Sequence, residues 1–545
     1  MLAGCVPWPP DLARRYTERG YWRPEPLDAR IRALARADAD RIALVEPDRR
    51  MTYGELDRRA DRLAAGLRRV GLSAGDRVVI QLPNVIEFVT LCHALFRLGA
   101  LPVFALPAHR KSELAHLCAM SEATALVIPD KYLGFDHREL ARQVTGPEHI
   151  FVVGDPAEFV ALDAIDAEPE PLPAPDPAEV ALFLLSGGTT GLPKLIPRTH
   201  QDYGYNLRIS AENAGLTAAD SYLAVLPVGH NYALACPGVL GTLHVGGRVV
   251  LAPTPSIEDA FPLIERERVT VTALVPPLAL LWMEMAGIAG SDLSSLRLVQ
   301  VGGAKFGADA ARRFGPALGC AVQQSFGMAE GLLCQTARDD PPETVATTQG
   351  RPLSPDDEIL VVDASGAPVS DGEVGELLTR GPYTLRGYYR AEGHNATAFT
   401  PDGFFRTGDL VRLLPGGHLV VEGRVKDQIN RGGDKVAADE LEDHLSAHPA
   451  VRECAVVAMP DPLIGERTCA FVVPRPRGTT PPRLAEMVAF LRDRGLAAYK
   501  LPDRLELVES FPRTAVGKVD KGRLRERIRE LTAAERGSTS MERGR

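Results

Sequence analysis

The sequence predicts an α/β protein: a large layered N-terminal domain with several sheets and helices, followed by a small α+β C-terminal domain. Three observations lead there. The chain has 545 residues, several times what a minimal folded domain needs. Short apolar runs alternate with helical periodicity along most of it. A fresh set of apolar runs follows a change of pattern near Asp427.

The elements can be justified in order. Thr52-Tyr53-Gly54-Glu55 has the spacing of a capping box, with the Thr52 hydroxyl accepting from the Glu55 amide and the Glu55 carboxylate reaching back. The helix after it buries Leu56, Ala60, Leu63, Ala64 and Leu67, and Gly71 can end it. Gly75-Asp76-Arg77 then turns into Val78-Val79-Ile80, an apolar run of the kind buried in parallel sheets. Helical spacing returns from Val85 to Leu98, and the run Leu101 to Leu106 comes after Gly99. Residues 155–178, rich in Ala, Pro, Asp and Glu, read as a surface connection between two such units. Beyond Asp427, Cys454 to Ala458 and Ala470 to Val473 are strand-like, and Arg483 to Arg494 is helical. Residues 1–426 thus form the large domain, 427–532 the small one, and 533–545 a disordered tail without apolar periodicity.

Composition excludes several classes of function. Apolar residues make up 45% and charged residues 24%, as in ordinary globular proteins. With 62 basic against 71 acidic residues, the net charge is −9 and interspersed, so neither nucleic acid nor an anionic membrane is an expected partner. Eight cysteines lie far apart without a C-x-x-C pair, which argues against a disulfide framework or zinc site. Leu2-Ala3-Gly4-Cys5 lacks the apolar stretch that a lipoprotein signal needs. Val269 to Ala286 carries two prolines and Glu284 and fails as a membrane span. A cytoplasmic location is expected.

The chemistry is carried by short motifs. Leu182-Phe183-Leu184-Leu185 runs into Ser186-Gly187-Gly188-Thr189-Thr190-Gly191-Leu192-Pro193-Lys194. The glycines let backbone amides converge, and Ser186, Thr189, Thr190 and Lys194 add hydroxyl and cationic donors, as a polyphosphate requires. The same composition also suits a glycine-rich surface turn. It is not a Walker A loop, because no Gly-Lys-Ser/Thr closes it.

This segment resembles the signature loop of the adenylate-forming superfamily, which includes acyl-CoA synthetases, luciferases and nonribosomal peptide adenylation domains. Further motifs follow in that family's order: Phe326-Gly327-Met328-Ala329-Glu330, Phe405-Arg406-Thr407-Gly408-Asp409, Gly423-Arg424-Val425-Lys426-Asp427 and Pro512-Arg513-Thr514-Ala515-Val516-Gly517-Lys518. The resemblance implies that Phe326 stacks on adenine, Glu330 holds Mg²⁺, Asp409 and Arg424 address the ribose, Asp427 is a hinge, and Lys518 is a catalytic lysine on a mobile domain. It adds Gly303, Ser325 and Gly327 to the nucleotide site. Gly432 and Gly433 would line the approach of a pantetheine thiol.

Leu226-Pro227-Val228-Gly229-His230-Asn231-Tyr232 resembles the free-standing ligases of 2,3-dihydroxybenzoate and salicylate, as do Pro7-Trp8-Pro9-Pro10, Gly20-Tyr21-Trp22 and Lys435 to Glu440, with Ala438 where most relatives have proline. It implies catalytic roles for His230, Glu330 and Lys518. The resemblance also implies an aryl site of Asn231, which would address the ortho-hydroxyl, with Tyr232, Cys236, Gly302, Ala304, Ala329 and Leu333. Cys236 and Leu333 stand where dihydroxybenzoate ligases carry serine and valine, and a thiol is a weak partner for a 3-hydroxyl. The expected activity is therefore salicylate-AMP ligation with ATP and Mg²⁺. The acyl group would pass to a phosphopantetheine thiol on a carrier protein in trans, or on CoA, in siderophore or aryl-capped natural product synthesis. The alternatives are a 2,3-dihydroxybenzoate-AMP ligase and an aryl-CoA ligase.

Overall fold

A computed structural model describes residues 1–186, 193–431, 434–461, 464–475, 481–494, 496, 498–514 and 517–542. Its largest sheet, among those residues, has nine strands in the order Arg351–Pro352, Leu333–Gln335, Ala321–Gly327, Leu298–Gly302, Val271–Leu274, Ser221–Ala224, Arg248–Leu251, Ile42–Val45 and Arg50–Thr52. Its centre is parallel, with Leu298 opposite Ala321 and Gly302 opposite Ser325. A second sheet has seven strands: Leu195–Thr199, Val180–Leu185, Leu101–Phe104, Arg77–Ile80, Ala125–Pro129, His149–Val153 and Val160–Ala161. Strand interiors such as Val78-Val79-Ile80 are fully buried, as expected where helices cover both faces.

The capping box forms as the spacing predicts. Thr52 Oγ1 accepts from Glu55 N at 3.1 Å and Glu55 Oε2 accepts from Thr52 N at 2.8 Å, opening the helix Tyr53–Arg69. That helix and Ile86–Leu98 pack between the sheets, and one apolar cluster runs from Ile80 and Leu184 to Tyr222, Val250 and Val299.

This continuity corrects the reading of residues 155–178. The strands His149–Val153 and Val180–Leu185 on either side of the segment belong to the same sheet. The segment itself adds the strand Val160–Ala161 and buries Leu162, Ile165 and Ala167, while Arg59 and Arg62 pair with Asp166. Its charge faces solvent and its few apolar residues face the helix Tyr53–Arg69, so composition alone concealed a packed strap.

A four-stranded antiparallel sheet, Glu358–Val362, Val374–Arg380, Phe405–Leu413 and Leu419–Arg424, leads to the short 3-10 turn Val425–Asp427. A five-stranded sheet starts at Gln428 and has a core of its own. Val456, Ala470 and Val472 face Leu441, Leu445, Met487 and Leu491 of two helices. The alternate residues Ala455, Val457 and Phe471 face Leu524 and Ile528 of the helix Lys521–Glu542. The period of two covers both faces; truncating the fully buried Phe471 to alanine would cost about 3–5 kcal/mol. The helix continues to Glu542, past the expected fraying point at Ala533. Ala533-Ala534-Glu535-Arg536 are good helix formers and extend the anchored turn through Ile528.

Candidate active site

The site lies where strands of the nine-stranded sheet end, beside the four-stranded sheet, with the small domain above it. Asp409 and Arg424 are register partners on adjacent antiparallel strands, and Arg424 Nε donates to Asp409 Oδ1 at 2.8 Å. Burial pushes the Asp409 carboxyl up, opposed by Arg424. Glu330 is buried and also pushed up by burial, opposed by the Tyr388 hydroxyl, which donates to Glu330 Oε1 at 2.8 Å. Lys518 closes the group. An added Cβ on Gly303 would lie 3.5 Å from Lys518 Cε and 3.9 Å from its Nζ, and Gly303 has φ +82°. Glycine serves there because its left-handed backbone would strain a side chain, while the lysine lies in ordinary contact with that position.

Lys518 is drawn down to about 8 by burial and then by the Arg424 cation, against the opposing pull of Asp409 and Glu330. The cluster therefore sets two buried carboxyl groups, Asp409 and Glu330, against two partly exposed cationic side chains, Arg424 and Lys518. Among the described residues no group of three or more His, Cys, Asp or Glu side chains could hold a metal alone. One carboxylate is nevertheless what Mg²⁺ uses when phosphate oxygens and water complete its octahedron. Glu330 fits that part.

The ends of the glycine-rich loop are tied together: Ser186 N donates to the Lys194 carbonyl and Lys194 N to Ser186 Oγ, both at 3.0 Å. Lys194 Nζ sits 5.5 Å from the Tyr388 ring centre. Gly187, Gly188, Thr189, Thr190 and Gly191 lie outside the described residues, as do Gly432 and Gly433.

A second group of residues lies deeper. His230 caps the short helix Asn231–Ala235, its Nδ1 accepting from Tyr232 N at 3.3 Å. Burial, then the neighbouring Lys518 cation, draws His230 down to about 4, so its ring is neutral. Asn231 Oδ1 accepts from the Tyr203 hydroxyl at 2.8 Å, and Asn231 Nδ2 lies 3.7 Å from Cys236 Sγ. Cys236 is buried, and burial raises its thiol to about 12, so it is not a thiolate. Tyr232 lies across Gly302, where an added Cβ would come within 3.0 Å of its hydroxyl oxygen and 2.7 Å of the Ser325 carbonyl. The hydroxyls of Tyr232 and Ser325 are buried without a well-formed hydrogen bond, leaving polar capacity at this point.

Leu333 is buried and abuts Gly327, while Gln335 on the same strand donates to the Cys236 carbonyl at 3.4 Å. The Ala329 carbonyl accepts from Arg198 at 3.3 Å. Phe326 is partly buried beside Met328 and the four-stranded sheet. Ala304 is exposed, at the rim rather than among the buried residues.

Three contributors were missing from the sequence reading. Tyr388 and Tyr203 belong to none of the motifs quoted from the sequence, though a buried tyrosine hydroxyl generally implies a polar partner. Lys305 gave no signal: it bridges Asp443 of the small domain at 2.8 Å and Glu422 of the large one at 3.7 Å. A further pair, Arg475 with Glu284 at 3.0 Å, also crosses between the domains. Asp427 is ion-paired with Arg525 of the final helix, which ties the turn to the small domain.

Comparison with known proteins gives a consistent picture. A model described as AMP-binding enzyme matches residues 31–389, and one described as AMP-binding enzyme C-terminal domain matches 440–518. The chain is 57% identical to a 2,3-dihydroxybenzoate-AMP ligase of Bacillus subtilis, covering 98% of this chain and 99% of that one. It is 51% identical to a salicylyl-CoA synthase / salicylate adenylyltransferase of a Streptomyces species, covering 96% and 98%. The apo structure of MbtA from Mycobacterium smegmatis superposes with a TM-score of 0.75 at 50% identity, covering 96% of this chain and 99% of that one.

Proposed function

The chain belongs to the AMP-binding enzyme family, and from that premise we propose that it is an aryl-acid AMP ligase whose substrate is salicylate. A carboxylate oxygen of salicylate attacks the α-phosphorus of ATP, the bond to the bridging oxygen breaks, and pyrophosphate leaves with that electron pair. A phosphopantetheine thiol then loses its proton and attacks the acyl carbon, the bond from that carbon to the phosphate oxygen breaks, and AMP leaves with the electron pair, so that the thioester remains. The acceptor is a carrier protein in trans or CoA, and siderophore assembly is the setting that the relatives suggest.

The first step brings two anions together, so positive charge and positioning matter more than a nucleophilic side chain. Lys518 meets that need. Its amine lies against Gly303 among Asp409, Glu330 and Arg424, and binding two anionic substrates beside it further favours the ammonium form. Ser186 and Lys194 stand at the mouth of the loop proposed to hold the departing phosphates. Tyr388 aims Glu330, and the neutral ring of His230 adds no charge to repel Lys518. Glu330 would hold Mg²⁺, which when bound neutralises phosphate oxygens.

The observation that favours salicylate is the thiol of Cys236 beside the Asn231 amide. It offers a 3-hydroxyl a weak partner, and an unsatisfied buried hydroxyl costs about 1–3 kcal/mol. The 57% identity to a dihydroxybenzoate ligase favours a second reading, 2,3-dihydroxybenzoate. ATP–pyrophosphate exchange over a panel of benzoates tests both. Salicylate is expected to show the highest kcat/KM, and a maximum at 2,3-dihydroxybenzoate establishes the second reading.

A further inference from the structure

We infer that Tyr203 is a specificity-determining positioning residue: it turns the Asn231 amide so that the NH2 group, not the carbonyl oxygen, faces the ortho substituent of the aryl acid. This rests on the aryl-acid reading above and deepens it. The pocket then selects acids whose ortho group presents a lone pair and rejects those whose ortho group presents a hydrogen.

The geometry supplies both halves of the orientation. Tyr203 lies on the helix His200–Asn213, is fully buried, and donates to Asn231 Oδ1 at 2.8 Å. Complete burial holds its phenol far above the ordinary value, so it remains a donor. The other side of the amide, Nδ2, donates one N–H to Cys236 Sγ at 3.7 Å, a weak acceptor, and keeps its second N–H for a ligand. The tyrosine is itself held in place. Arg198 lies over its ring at 4.8 Å and is fixed by Asp202 through a 2.7 Å ion pair within the core. An asparagine amide is ambiguous by shape alone; here the Cys236 thiol donates to the Asn231 backbone carbonyl at 3.6 Å, which leaves its sulfur to accept from Nδ2, and the Tyr203 hydroxyl donates to Oδ1 on the other side, so the two contacts together set which way the amide points.

The chemistry of the ligand follows. In salicylate the phenolic hydrogen is engaged by the adjacent carboxylate, so the outward face of that oxygen carries lone pairs and accepts from Asn231. In anthranilate one N–H engages the carboxylate and the other points outward, where it meets the Asn231 NH2 donor to donor. A site built to hydrogen-bond one pattern rejects the other strongly, because a buried polar group is left unpaired.

Pyrophosphate exchange with salicylate and with anthranilate, in the parent and in Tyr203→Phe, tests this. The parent is expected to favour salicylate by at least about tenfold, and the ratio of the two kcat/KM values is expected to fall about tenfold in Tyr203→Phe as Asn231 becomes free to turn. A packing defect lowers both acids together and leaves the ratio unchanged, which overturns the inference. A parent that uses both acids equally overturns it without any variant. If neither acid supports exchange in the parent, the salicylate reading falls and takes this inference with it. Salicylate-dependent exchange with an unchanged ratio sinks the role of Tyr203 alone.

Discussion

The two halves of the site are held by different physics. Around Asn231 the side chains are buried and packed in one continuous core, and their contacts are short hydrogen bonds within one domain. Lys518, in contrast, comes from a domain with a separate core and reaches Gly303 across an interface that includes two ion pairs, Lys305 with Asp443 and Arg475 with Glu284. A hydrogen-bonded pocket in close-packed surroundings can discriminate a single hydroxyl. A charge delivered across an interface can be withdrawn, which a two-step reaction requires once the adenylate has formed. On the function proposed above, selectivity belongs to the close-packed half and the charge for chemistry to the half that reaches the site across the interface.

Removing the lysine should break the comparison most visibly. Lys518→Ala is expected to lower salicyl-adenylate formation about 10²–10³-fold, the usual scale for a lost charge-stabilising group. Transfer from preformed adenylate to a thiol should change far less. Equal losses in the two half-reactions, measured separately, would show that the lysine does not belong to the first step alone. The same lysine sets a pH limb. Because its folded-state value is drawn down to about 8, the ammonium form is lost as pH rises through that point. kcat/KM for adenylation in the parent is therefore expected to fall above about pH 8, and a profile flat to pH 10 would remove Lys518 from that role.

The pocket half is sharpened by Cys236→Ser with Leu333→Val. The hydroxyl is a better partner and the smaller side chain makes room, so the preference should shift about ten- to hundredfold toward 2,3-dihydroxybenzoate. A double variant with an unchanged ratio would reduce both positions to packing.

Lys305→Met addresses the interface. Its bridge to Asp443 is partly solvated, so the loss is worth about 1 kcal/mol at most, or roughly two- to fivefold in adenylation. Thiol transfer should hold steady, because it does not need the lysine-in arrangement. If both steps fall alike, the ion pair serves stability and not closure.

What could be read from the sequence divides along similar lines. Local signals were legible. The Thr52 capping box, the run Val78-Val79-Ile80 and the helix up to Gly99 follow from spacing and propensity, which act over a few residues. The motifs Phe326 to Glu330 and Phe405 to Asp409 could be placed because each is a contiguous string. Residues that act across the chain could not. Tyr203 meets Asn231 from 28 positions away, and Tyr388 meets Glu330 from 58; each looks like a core ring until the partner is placed beside it. Lys305 stands in no contiguous motif, and its role emerges only when the helix Ala438–Ser446 brings Asp443 to it. Residues 155–178 misled for the opposite reason, since an acidic, proline-rich composition described their outer face and hid Leu162 and Ile165.

The division of labour is tested most directly by equilibrium binding, without turnover, of salicylate and 2,3-dihydroxybenzoate to the parent and to Lys518→Ala. If selectivity belongs to the core pocket, the two proteins show the same ratio of dissociation constants even though one has lost adenylation. A ratio that collapses when Lys518 is removed would place selectivity on the movable domain and contradict the division.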